Sequence, residues 1–321
     1  NTRSRGLGDV YKRQDYSIQI SGLFYQRFLD NKDVSLFSPH DVPGLYQSFG
    51  GPHFDELYQH YEKDITIPRS TISARELFGD LMKERAETGR IYVMNIDHCN
   101  SHSSFDVPVH MSNLCQEITL PTRPLNHIDD EKGEISLCIL SAINIGKLRN
   151  DNEIEGLCDI AVRALDELID YQGYPVKAAE KATKGRRSLG IGFIGLAHYL
   201  AKKGEHYDDP NALKLVHSLT EKFQYHLIKA SATLAKEKGA CEYFDQTKYS
   251  KGLFPIDTYK KDVDEVVAPN YHEDWDELRK FVAKHGMRNS TLTAQMPSES
   301  SSVVCNATNG VEPPRDYLSI K

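Results

Sequence analysis

The stretch SARELFGDLMKERAETGRIYVMN, residues 73–95, decides the fold class. Leu77, Phe78, Leu81, Met82 and Ala86 recur at helical spacing across Ser73 to Thr88, and Gly89 stands where a C-terminal cap belongs. Arg90 to Asn95 follows with Ile91, Tyr92, Val93 and Met94, which reads as a buried strand. Helix, tight glycine and strand in succession is an α/β rhythm.

The rhythm continues on both sides. Upstream, Ile18, Ile20, Leu23, Phe24 and Phe28 predict a helix over Tyr16–Leu29, Leu36-Phe37 a strand leaving into a loop, and Phe54–Tyr61 a helix. Downstream, Glu117–Leu120 and Ile135–Leu140 read as strands. In the second, Ile135, Leu137 and Ile139 share one face, with Ser136 and Cys138 on the other. Helices follow over Glu153–Tyr171 and Leu196–Lys203. The longest runs from Asp209-Pro210 to Lys238, before Gly239, and another covers Trp275–Lys284. Leu189–Ile194 is a short apolar segment, and Ser290–Met296 a last candidate strand. Apolar strands between helices argue for parallel pairing with both sheet faces covered. Ligands then gather at strand C-terminal ends, where the loops after Met94 and Met296 fall.

The 321 residues are 39% hydrophobic and 26% charged, a globular composition with no apolar run long enough for a membrane span. A net charge of −7 argues against a global DNA-binding surface. Six cysteines without a visible signal peptide suggest a reducing cytoplasm, where a reactive cysteine pair means redox chemistry more often than a staple. Residues 1–14 are basic and aperiodic and are set aside as a tail or fragment-end scar. With no initiator Met and no terminating signal at Lys321, the chain is expected to be a piece of a longer protein.

Asn113-Leu114-Cys115-Gln116-Glu117 concentrates chemistry in five residues. In extended geometry Asn113, Cys115 and Glu117 share a face: an orienting amide, a nucleophile or radical carrier, and a general base. The plainer alternative is a half-buried strand with a core cysteine. Cys138 is a second thiol on a strand face, 23 residues on. His98-Cys99 with His102 has ligand-like spacing, but no second cluster completes a four-ligand zinc site, so no metal is assigned. Gly190-Ile191-Gly192-Phe193-Ile194-Gly195 matches the dinucleotide fingerprint literally. No apolar strand precedes it, so close backbone packing is the better reading. Asp129–Glu134 reads as a solvated charged turn. Pro297–Ser302 clusters hydroxyls where a helix begins, a place suited to phosphate; the alternative is an ordinary serine-capped helix.

Several motifs in order carry a resemblance: Ser38–Tyr46, Asn95–Ser101, Ser112–Cys115, Leu137-Cys138, Arg288–Thr291, Met296–Ser301 and Asn306–Pro314. Together they resemble the catalytic large (alpha) subunits of bacterial class Ia ribonucleoside-diphosphate reductases, over about Asp15 to Lys321. The resemblance implies an α/β fold, part of a ten-stranded barrel of two five-stranded parallel halves with a central finger loop. Residues 15–321 would be a partial catalytic domain without the N-terminal activity cone, the first barrel strands and the C-terminal tail. It implies reduction of ribonucleoside diphosphates to deoxyribonucleotides, with Cys115 as thiyl-radical cysteine, Glu117 as base and Asn113 as ribose-binding residue. Cys138 would be one reducing cysteine of a pair, and Ser298, Glu299, Ser300 and Ser301 the diphosphate loop. Ser300 stands where the family often has Thr, which keeps the hydroxyl. No cofactor would be bound by this chain itself. The radical would come from a metal-containing small (beta) subunit, and ATP or dNTP effectors would bind mainly elsewhere. A large-subunit homodimer and thioredoxin or glutaredoxin complete the implied partners. The fragment is expected to be inactive alone. Two other classes stay open from the residues: a non-catalytic nucleotide-phosphate-binding module, and a cysteine hydrolase with His98 or His110 as base.

Overall fold

The computed structural model describes residues 14–314 and Asp316, so the basic tail, up to residue 13, lies outside the described residues. Two compact units emerge. One comprises the chain up to Ser103 together with Pro108–Thr119; the other comprises Ser104–Val107 and everything from Leu120 onward.

In the first unit β1 (Tyr16–Ile20) is followed at once by helix α1 (Gly22–Leu29). The Ser21 hydroxyl accepts from the Phe24 N–H and caps α1. The expected single helix over Tyr16–Leu29 is therefore a strand and a helix. Ile20 has helical spacing to Leu23 and Phe24, but parallel pairing with β4 (Ile91–Asn95) claims Tyr16–Ile20. Between them β2 (Asp33–Phe37) pairs antiparallel with β3 (Arg69–Ser73), a strand without a clear sequence signal. Helix α2 (Phe54–Lys63) packs beneath. Its Tyr58 hydroxyl donates to the Ser35 carbonyl and accepts from the Ser35 N–H, both at 2.7 Å. Helix α3 (Ala74–Thr88) has Gly89 at φ 67° as C-cap, as read from residues 73–95, and begins one residue later than expected, with Ser73 as its N-cap. β4 runs straight into α4 (Ile96–His102), which occupies the start of the polar stretch expected to be loop.

The second unit is built on β5 (Ile139–Asn144) and β6 (Leu189–Ile194), parallel and in register from Ile139↔Leu189 to Asn144↔Ile194. The crossover contains α5 (Glu153–Tyr171) and α6 (Lys177–Arg186). α5 buries Ile154, Cys158, Val162, Leu165 and Ile169 at the spacing of a helical face. After α7 (Leu196–Lys203), the long α8 (Pro210–Lys238) packs on α5 and on α9 (Trp275–His285). A single apolar cluster runs through these elements. Among the described residues there are three two-stranded sheets and no closed barrel, and no helix is long and apolar enough to cross a membrane.

Two expected strands are corrected here. Ile135–Cys138 is irregular, and β5 starts only at Ile139. Ser290–Met296 lies beside β6 without forming a regular strand. The N–H groups of Leu189 and Ile191 donate to Thr291 and Leu292, and Ile191 bridges Thr293 in parallel. The ladder stops because the Gln295 side chain takes both backbone groups of Phe193, donating to its carbonyl at 2.7 Å and accepting from its N–H at 3.3 Å.

Candidate active site

The Cys115 loop belongs to the first unit. Its entry is fixed by Asn100, whose carboxamide donates to the Val109 carbonyl and accepts from the Val109 N–H. Gln19 on β1 donates to the His110 carbonyl, and Gln116 donates to the Ser17 hydroxyl, so alternate residues of β1 hold both arms. The arms close through a Ser112–Thr119 bridge. Inside it, the Asn113 N–H donates to the Ile118 carbonyl, and the Asn113 side-chain oxygen accepts from the Ile118 N–H, both at 3.1 Å.

The five residues are thus a turn, and the extended strand with three side chains on one face is not formed. Glu117–Leu120 likewise contributes only the bridging Thr119. Gln116 at φ 66° reverses the chain between Cys115 and Glu117, a backbone state few side chains favour. Asn113 and Cys115 are exposed and Glu117 is half-buried. The Glu117 Oε2 is buried with no hydrogen-bond partner, an orphaned acceptor of the kind a substrate hydroxyl satisfies. Desolvation, then the negative charges of Glu117 and Asp15, push the Cys115 thiol up, so it stays S–H at neutral pH. Cys115 and Gln116 face a cleft of about 470 Å³ lined by Tyr25, Phe78, Met82, Arg85 and Tyr92. Sequence reading did not find these residues, because aromatic and apolar positions on α1, α3 and β4 look like ordinary core.

His98, Cys99 and His102 lie along α4. Among the described residues no group of three or more His, Cys, Asp or Glu side chains is placed to hold a metal.

Cys138 and the serine loop belong to the second unit. Cys138 is half-buried, one residue before β5. The charged turn ahead of it is not simply solvated. Glu134 is 1% exposed and pairs with the equally buried Arg186 at 2.6 Å, while the Arg186 guanidinium stacks over Tyr243. Helix α6, which ends in this arginine, shows no apolar period, because its buried positions are Ala178, Ala179, Ala182, Thr183, Gly185 and Arg186.

At the serine loop, α10 (Glu299–Val304) follows Ser298 as its N-cap. Ser298 is buried and donates its hydroxyl to the Met296 carbonyl, while its N–H donates to Asn309. Asn309, in the Asn306–Pro314 motif, therefore shapes the loop, a role that its place in the motif does not specify. Glu299, Ser300 and Ser301 are exposed. The glycine-rich run forms the wholly buried β6, in keeping with close packing.

A family model described as ribonucleotide reductase, barrel domain, matches residues 9–321. The alpha subunit of ribonucleoside-diphosphate reductase from Haemophilus influenzae is 56% identical over 324 residues, covering 99% of this chain and 43% of the relative. The alpha subunit of ribonucleoside-diphosphate reductase 1 from Escherichia coli K12 is 54% identical with the same coverage. The alpha subunit of Enterobacteria phage T4 is 48% identical, covering 97% of this chain and 41% of its own. The chain spans about two-fifths of the length of these relatives. On this evidence of matched length and identity, the chain belongs to the ribonucleotide reductase barrel-domain family.

Proposed function

We infer that the chain is part of the catalytic alpha subunit of a cytoplasmic ribonucleoside-diphosphate reductase, an enzyme that reduces ribonucleoside diphosphates at the 2′ carbon, and that it does not turn over by itself. The observation that carries this reading is the Cys115 turn: an exposed thiol held as S–H, with a carboxylate two residues on whose Oε2 has no partner. A cysteine hydrolase needs a thiolate, which a neighbouring carboxylate disfavours. A hydrogen-atom carrier needs the S–H bond.

In this reading the Cys115 sulfur radical takes the 3′ hydrogen, forming S–H and leaving a carbon radical on the ribose. Glu117 accepts the 3′-hydroxyl proton. The Asn113 NH₂, left over once its oxygen is bonded to Ile118, donates to a ribose hydroxyl. The 2′ hydroxyl departs as water with a proton from one thiol of the reducing pair, the other thiol gives its hydrogen to the 2′ carbon, and Glu117 returns its proton to the 3′ oxygen. That pair, Cys138 and a cysteine outside this chain, supplies two electrons and becomes a disulfide. The 3′ hydrogen then returns from Cys115. The exposed Glu299, Ser300 and Ser301, with Ser298 ordering the turn, receive the diphosphate. The radical is supplied by a metal-containing small subunit, and thioredoxin or glutaredoxin restores the dithiol. The complete protein closes a ten-stranded barrel around the Cys115 loop and works as a large-subunit dimer with effector sites elsewhere.

Replacing Cys115 by Ser in the full-length subunit tests this. O–H is much stronger than S–H, so deoxynucleotide formation should vanish while diphosphate binding persists. Unchanged formation would move the reading to a nucleotide-phosphate-binding module.

A further inference from the structure

The glycine-rich run of β6 remains without a role in that chemistry. Alternate strand residues face the same way, so Gly190 and Gly192 leave one face of β6 without side chains until Ile194. A Cβ on Gly190 would stand 2.9 Å from the Cys138 sulfur, 2.5 Å from Leu140 Cδ2 and 3.0 Å from Ala294 Cβ. A Cβ on Gly192 would stand 2.5 Å from the Ala294 carbonyl oxygen and 3.0 Å from the Met296 sulfur. Met296 immediately precedes Pro297 and the serine loop.

The segment resting on this face is anchored at its other end by Asn289. Its NH₂ donates to Asp166 and to the Arg187 carbonyl, both at 3.1 Å, and the Ser231 hydroxyl donates to its oxygen at 2.9 Å. Asp166, fully buried, is further held by Arg187 at 2.7 Å and Arg288 at 3.1 Å. The Arg288–Thr291 motif is thus an anchor, and the chain from Ser290 to Met296 has its position set by that anchor and by the glycine face.

We propose that the Gly190–Gly192 face of β6 is a shared platform, with Gly190 positioning the Cys138 thiol and Gly192 positioning the Pro297–Ser301 loop. The proposal rests on the roles given above to Cys138 and to the serine loop. A methyl at Gly192 meets a backbone oxygen, which cannot rotate away, so residues 294–296 must lift and carry Pro297 with them. A methyl at Gly190 meets Leu140, whose side chain can turn, and the Cys138 sulfur, which must shift.

The test uses the full-length alpha subunit with its small subunit, each variant first compared with the parent by circular dichroism and thermal midpoint. Gly192→Ala should raise KM for the ribonucleoside diphosphate about tenfold with kcat within about threefold, the signature of lost ground-state binding. Gly190→Ala should lower kcat about tenfold with KM within about threefold, and should lower the yield of Cys138 disulfide after one turnover without external reductant. A folded Gly192→Ala enzyme with parental KM, or a folded Gly190→Ala enzyme with parental kcat and disulfide yield, overturns the platform. Should Gly192→Ala fail to fold, Ser231→Ala loosens the same anchor and should raise KM about threefold; parental KM there counts against the proposal. Should Gly190→Ala fail to fold, pairing it with Leu140→Ala relieves every contact but those to Cys138 and Ala294, and the same kcat criterion applies. Ser300→Ala and Ser301→Ala are run in parallel. If they leave KM unchanged, the diphosphate-loop reading itself fails; if they raise it while Gly192→Ala does not, only the platform falls.

Discussion

Cys115 stands at an exposed turn whose shape depends on polar side chains, whereas Cys138 is half-buried just before β5 and packs beside Gly190 of the buried strand β6. The first is held by what its neighbours carry: Gln19, Gln116 and Asn113 each spend a side-chain hydrogen bond on the loop. The second is held by what its neighbour lacks, since a Cβ on Gly190 would stand only 2.9 Å from the Cys138 sulfur. A turn can be rich in functional groups because water satisfies whatever is left over. A buried strand must solve the same positioning problem by shape, because an unsatisfied polar group there is costly.

The contrast can be broken from the exposed side first. Glu117→Gln removes the proton acceptor but keeps the size, so kcat in the full-length enzyme should fall about 10³-fold, within the range of a lost general base. Deoxynucleotide formation under saturating substrate checks this. On the buried side, Arg186→Met strands Glu134 without its main partner and should cost about 3–5 kcal/mol of stability, read as a shift in urea midpoint of the full-length subunit. Adding Glu134→Leu should recover most of that loss. The smallest effect is chemical. Cys158 and Cys241, both buried and pushed up to about 12, should resist alkylation until the protein unfolds. Cys115 is reachable but raised, so its alkylation should still be climbing beyond the ordinary thiol value of about 8.5, as followed by mass spectrometry across pH. A plateau near neutral pH would make it a thiolate and favour nucleophilic chemistry.

Much of this was legible in the sequence where one interaction dominates. Gly89, Pro210 and Gly239 punctuate their helices as read, and the α5 and β6 boundaries coincide with their apolar patterns. Reading failed where distant partners decide. Tyr16–Ile20 is a strand because β4 lies beside it, and Ser290–Met296 is not one because Gln295 caps the ladder. The residue types of Cys115 and Glu117 suggest the proposed chemistry, and the resemblance suggests Asn113–Glu117 as the tip and descent of a finger loop; the reversal at Gln116 is not legible, since nothing marks that residue for a positive φ. Asn309, Arg186 and Asn289 act through three-dimensional neighbours, so no local spacing marks them.

The central claim is that Cys115 takes the 3′ hydrogen of the substrate. It is tested most directly with a ribonucleoside diphosphate tritiated at the 3′ position, in a single turnover of the full-length alpha subunit with its small subunit. A hydrogen held transiently as S–H can exchange with water, so the parent should release a small fraction of the label while the Cys115→Ser enzyme binds the substrate and releases none. Release from the Ser variant at the parental rate would show that another group takes the hydrogen, and would contradict the account.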